Sequence, residues 1–68
     1  MEIFGKRLRE LRIERKLGQM DLAKVLGTSP QNISRWEKGY FEPDQNTLVA
    51  LALYFKVSTD YLLGVEDA

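Results

Sequence analysis

Four glycines, Gly18, Gly27, Gly39 and Gly64, cut this chain of 68 residues into short segments. Within the segments apolar residues recur three and four positions apart, the period of one helical face. No segment alternates apolar and polar residues between hairpin turns. A chain divided this way folds as a set of short helices that bury their stripes against one another, because helices this short are marginal alone.

The segment boundaries carry helix signals. Phe4, Leu8 and Leu11 lie among Arg, Lys and Glu and predict an amphipathic helix over residues 3–15, after which Gly18 breaks the pattern. Leu22 and Leu26 mark a second helix over residues 19–26, stopped by Gly27, a residue free to adopt positive φ. Ser29 is a good N-cap, and Pro30 sits at the first helical position, where its missing N–H costs nothing. That third helix runs through Trp36 and Glu37 towards Gly39, with Ile33 and Trp36 on its apolar side. GYFEPD is the one real loop. Asp44 then caps a fourth helix with the stripe Leu48, Leu51, Ala52 and Phe55, and Ser58 caps a fifth that runs through Leu63 to Gly64. The expectation is an all-α fold, one five-helix domain over residues 1–68. A domain this small buries only about 60% of the surface its unfolded chain exposes, so its core must be efficient.

Composition excludes several kinds of chemistry. There is no Cys and no His, hence no disulfide, no Cys/His metal site and no imidazole acid–base. A glycine-rich phosphate loop and clustered carboxylates are also missing, so neither an enzyme nor a cofactor or metal is expected. The aliphatic run over residues 48–53 is too short to span a bilayer, and MEIFGKRLRE lacks the apolar stretch of a signal peptide, which makes the cytoplasm the expected location. The net charge of zero hides an asymmetry. Residues 1–38 carry nine basic and five acidic side chains, residues 39–68 one basic and five acidic, a surplus of four in each direction. Such a division fits either two solvated surfaces or a cationic face that meets a polyanion.

Residues 19–38, QMDLAKVLGTSPQNISRWEK, fit a helix-turn-helix. Two short helices crossing steeply need a small residue at the crossing, which Ala23 supplies. The turn needs tolerance of positive φ, which Gly27 supplies four positions later. Leu22, Leu26, Ile33 and Trp36 lock the pair onto the core, leaving the second helix proud enough to enter a DNA major groove.

With these residues in place the chain resembles the Xre/Cro-type helix-turn-helix regulators, a family that includes lambdoid phage repressors. FGKRLRELR, QMDLAKVLG, ISRWEKG, EPDQNTLVALALYF and VSTDYLLG carry the resemblance at the right separations over nearly the whole chain. It implies a compact five-helix DNA-binding domain with the third helix as recognition helix. It assigns base reading to Pro30, Gln31 and Arg35, with Asn32 and Ser34 beside them. Gln suits adenine N6/N7 and Arg suits guanine O6/N7. The resemblance gives phosphate contacts to Gln19, at a helix N-terminus, and to Lys38 with the amides near Gly39 and Tyr40. It pairs Arg12 with Glu37, a structural pair that also brings Arg12 near a phosphate.

Departures from the family are local. Lys16 stands where relatives often have Gly or Asn, and a left-handed conformation there would cost roughly 1–2 kcal/mol. Gly18 replaces a Ser or Thr cap, at a cost of about a few tenths of a kcal/mol. Pro30 can offer a base only apolar contact, for instance to a thymine methyl. Tyr40 and Phe41 replace common Lys or Arg residues and weaken the phosphate grip of the loop.

The functional expectation is a sequence-specific regulator, foremost a repressor, bound as a homodimer to an inverted-repeat operator in double-stranded DNA. The alternative is the antitoxin half of a toxin–antitoxin pair, although a toxin-wrapping segment would need more chain than the four residues at 65–68. Leu53 lies on a side of the fourth helix that relatives usually charge. With Val57 and Tyr61 it is the candidate dimer contact.

Overall fold

The computed structural model describes residues 2–66. They form five helices, α1 (Glu2–Glu14), α2 (Gln19–Leu26), α3 (Pro30–Glu37), α4 (Gln45–Phe55) and α5 (Thr59–Leu63), and no strand occurs among them. The architecture is the expected all-α five-helix domain. No helix among the described residues is long and apolar enough to cross a membrane.

The caps form as their local chemistry dictates. The side chains of Ser29, Asp44 and Ser58 accept hydrogen bonds from the amides of Asn32, Thr47 and Tyr61, at 3.2, 2.9 and 2.9 Å. The bond from Thr47 holds the exposed Asp44 carboxyl below its ordinary range. Gly18 has no side chain to cap α2, so only the return half of a capping box remains. There the Asp21 carboxylate accepts from the Gly18 amide at 2.8 Å. Lys16 does adopt a left-handed conformation, φ 58°, and so does Lys56, φ 57°, at the end of α4.

Every helix contributes to one core: Phe4 and Leu8 from α1, Leu22 and Ala23 from α2, Ile33 and Trp36 from α3, Leu51, Ala52 and Phe55 from α4, and Leu62 from α5. Leu26 and Leu48 are only partly buried against it. Two arginines, Arg7 on α1 and Arg15 just past its end, close the back of the domain. Arg7 donates to the carbonyls of Tyr61 and Glu66 and lies over the Tyr61 ring, 4.3 Å from its centroid. Arg15 donates to the Tyr54 carbonyl at 3.0 Å and lies over the rings of Tyr54 and Phe55. The Tyr54 carbonyl lies in the last turn of α4, where the intrahelical ladder leaves acceptors unpaired, whereas the Tyr61 carbonyl also accepts from the Gly64 amide at 3.2 Å.

The packing of α1 on α3 leaves no room at Gly5. A β-carbon there would lie 2.5 Å from the Glu37 carbonyl oxygen and 2.6 Å from that of Trp36. Backbone atoms cannot swing aside as a side chain can. Alanine favours helix over glycine by up to about 1 kcal/mol, but here overpacking, which costs about 1–3 kcal/mol, dominates. Gly5→Ala is therefore expected to lower the melting temperature by several degrees. A melting temperature equal to or above the parent's would show that α1 can ride away from α3 without loss.

Candidate nucleic-acid interface

Helices α2 and α3 meet at Ala23, which is buried, and the turn between them passes through Gly27 at φ 68°. The Thr28 amide returns to the Ala23 carbonyl at 2.9 Å and closes α2. Ser29 and Pro30 then start α3 at once. Because Ile33 and Trp36 of α3 point into the core, its opposite side must face out.

Gln31 and Arg35 are exposed on that outer side, four residues and one helical turn apart. Pro30, Asn32 and Ser34 are half-buried around them. Asn32 is turned partly inward, its Nδ2 donating to the Thr28 hydroxyl at 2.9 Å, which braces the turn. Of the five expected base-reading positions, Gln31 and Arg35 are the ones the fold leaves fully outward.

The orientation of α3 is fixed by an ion pair beneath its C-terminal turn. Arg12 Nε donates to Glu37 Oε2 at 2.7 Å and Nη2 to Oε1 at 3.1 Å. Arg12 Nη1 donates to the Leu17 carbonyl at 2.7 Å, and Gln19 Nε2 donates to Glu37 Oε1 at 3.2 Å. The two charged side chains are only 11% and 4% exposed. The bond to Glu37 holds Arg12 above the ordinary arginine range, against the opposing effect of its burial. All three guanidinium nitrogens of Arg12 are engaged inside the protein.

Beside this network Gln19 opens α2, whose first-turn amides have no intrahelical acceptor. At the far end of α3 the Gly39 amide bonds the Trp36 carbonyl and the Tyr40 amide bonds the Arg35 carbonyl, at 3.1 and 3.0 Å. These amides, read from the resemblance as phosphate donors, instead close the helix. What this corner presents outward is the exposed Lys38 and the Tyr40 ring, 72% exposed, with the Lys38 ammonium 6.0 Å from its centroid. Phe41 follows, 45% exposed, with the Arg35 guanidinium over its ring.

Leu53 stands out on α4, 74% exposed. Val57 packs partly against the domain's own core, and Tyr61 is half-buried beneath Arg7. Sequence spacing did not reveal the roles of Arg7 and Arg15, whose partners lie 54 and 39 residues away. Nor did it reveal the contact between Phe41 and Arg35.

Comparisons with known proteins give the family and support the fold. Residues 5–67 match the family model described as a helix-turn-helix domain. The chain belongs to the Xre/Cro-type helix-turn-helix family. It is 41% identical over 64 residues to the HTH-type transcriptional regulator ImmR of Bacillus subtilis, covering 94% of this chain and 50% of that protein. It is 39% identical over 62 residues to repressor protein C2 of Salmonella phage P22, covering 91% of this chain and 29% of the repressor. The chain thus spans half or less of these two relatives. Among solved structures, the P22 c2 repressor in complex with a synthetic operator superposes with a TM-score of 0.84 at 37% identity, over 91% of this chain and 94% of that one.

As in any helix-turn-helix domain, the use of α3 depends on its orientation, and here that rests on Glu37. Removing one partner of a buried pair leaves the other charge uncompensated, at a cost of about 3–5 kcal/mol. Glu37→Ala is expected to destabilise the domain by an amount near the lower end of that range, since the pair is not wholly sealed. Denaturant unfolding measures it. A midpoint within error of the parent would reduce the pair to surface decoration.

Proposed function

We propose that this domain binds double-stranded DNA sequence-specifically, as a homodimer on an inverted-repeat operator in the cytoplasm, and represses transcription there. The observation that carries the reading is the outward pair Gln31 and Arg35 on α3, a helix held from beneath by the Arg12–Glu37 pair. Relatives named as repressors, and a solved relative in complex with its operator, support it.

In this reading Gln31 addresses an adenine and Arg35 a guanine, each good bidentate contact giving about 1–3 kcal/mol of discrimination. Pro30 touches a thymine methyl. Asn32 keeps its Oδ1 for an exocyclic amine, and the Ser34 hydroxyl takes either role. Gln19, at the start of α2, places its amide on a phosphate, and Lys38 and Tyr40 grip the backbone beyond α3. Arg12 serves by holding Glu37, to which Gln19 also donates, because each of its guanidinium nitrogens is engaged within the domain. One recognition helix reads too few base pairs for useful specificity, and two-fold pairing doubles the site. Half-site centres then lie about 10 base pairs apart. Leu53 is the contact the dimer seam draws on, flanked by Val57 and Tyr61.

Titration of selected operator and random duplexes at several salt concentrations separates reading from gripping. Arg35→Ala is expected to weaken operator binding and relax preference at one G·C pair. Lys38→Ala is expected to weaken all duplexes alike and to reduce the salt slope by about 1. If Arg35→Ala lowered operator and random affinity equally, Arg35 would be a phosphate contact and the reading face would be misassigned. For the dimer, Leu53→Glu is expected to shift sedimentation toward the monomer with the helical signal unchanged. An unaltered equilibrium would remove Leu53 from the seam.

A further inference from the structure

Two arginines bracket α3, and they are held in opposite ways. Arg12 is buried and held through its N–H edges, which go to Glu37 and to the Leu17 carbonyl. Arg35 is exposed, and its guanidinium carbon lies over the Phe41 ring, 5.9 Å from the centroid. A guanidinium carries five donors, and attraction to a ring as a cation leaves them available to a hydrogen-bonding partner. The same group can therefore be steadied by an aromatic ring while its fork stays open to a partner.

Phe41 also lines a surface pocket with Leu26, Trp36 and Thr47. It is a phenylalanine, 45% exposed, in the loop that leads from α3 to α4, and it takes no part in the core. The chain turns back at Gly39, φ 78°, and this return brings residue 41 alongside residue 35. A long arginine side chain carries large rotamer entropy, which a bidentate contact must remove. Restricting it beforehand lowers that cost.

We propose that Phe41 is a positioning residue for base recognition: its ring attracts the Arg35 guanidinium and restricts the side chain on the outer side of α3, where its N–H groups meet a guanine. The proposal rests on the DNA-reading function argued above and adds a residue that makes no base contact itself. Exposed contacts of this kind are worth about 0.5–1 kcal/mol, which corresponds to roughly two- to fivefold in affinity.

The test measures parent, Phe41→Leu and Phe41→Tyr on the selected operator, on the operator changed at the Arg35 base pair, and on random duplex. Phe41→Leu keeps the apolar bulk and removes the ring. It is expected to weaken operator binding about two- to fivefold and to shrink preference at that one pair, with random-duplex affinity unchanged. Phe41→Tyr is expected to retain the parent's preference. In an Arg35→Ala background, Phe41→Leu is expected to have no further effect. Full preference retained in Phe41→Leu overturns the role of Phe41 alone. An equal loss in the Arg35→Ala background would make Phe41 a direct DNA contact and also overturns it. A parent with no base preference overturns the DNA-reading function, and this proposal with it.

Discussion

The buried pair between Arg12 and Glu37 is the contact on which the disposition of the other elements depends. It joins the end of α1 to the end of α3, and through Leu17 and Gln19 it reaches the segment that opens α2. Taking two charges out of water is expensive and is compensated only when the geometry is good and the remaining donors and acceptors are satisfied. Both conditions hold here. The fork meets the carboxylate at two points, the third guanidinium nitrogen has a backbone acceptor, and the carboxylate has a second donor in Gln19. An apolar contact at this place would let α3 slide or rotate, because apolar burial is non-directional. A two-point bond fixes the rotation of the helix about its axis. That rotation decides whether residues 31 and 35 face outward together.

Gly5 performs the complementary task from the other side. Where the ion pair sets rotation, the missing side chain sets distance, letting the α1 backbone close onto the carbonyls of Trp36 and Glu37. The two act on the same turn of α3. Once the turn is clamped, the six residues before it are carried rigidly, and the short loop through Gly27 has only to join two helices already placed.

What the sequence made legible follows the range of the interactions. Caps and stops depend on residues within four positions, so Ser29, Asp44, Ser58 and Gly27 could be read directly, whereas a left-handed turn at Lys16 was raised only by comparison with the family pattern. The outward face of α3 followed from the inward places of Ile33 and Trp36. The pair Arg12–Glu37, 25 residues apart, was available only through resemblance to the family. Nothing local marked Arg7 or Arg15 as internal, since an arginine on the polar side of an amphipathic helix is ordinarily solvated. Gly5 reads locally as a weak point in a helix, and only packing shows that it is required. Tyr40 and Phe41 registered as absent cations, a description that missed what a ring can do for the cations beside it.

That last point changes how the positive charge of the N-terminal half is to be understood. The surplus over residues 1–38 fits either a solvated surface or a broad cationic face. Yet Arg7, Arg12 and Arg15 are all held by carbonyls or by Glu37. Their charge still contributes to the long-range field, but Arg12 has all three guanidinium nitrogens engaged, and Arg7 and Arg15 each bond a carbonyl through Nη1. Asp21, in the first turn of α2, adds a negative charge close to the amides of that helix start. Sequence-independent binding scales with the number of phosphates a protein neutralises. A domain that commits three of its arginines to its own frame gives up part of that grip. Among the side chains that remain outward, which include Lys38, the proposed reading gives Gln31 and Arg35 the task of distinguishing one base pair from another. The same economy that stabilises a small core thus tilts the proposed DNA contact away from general adhesion and towards discrimination.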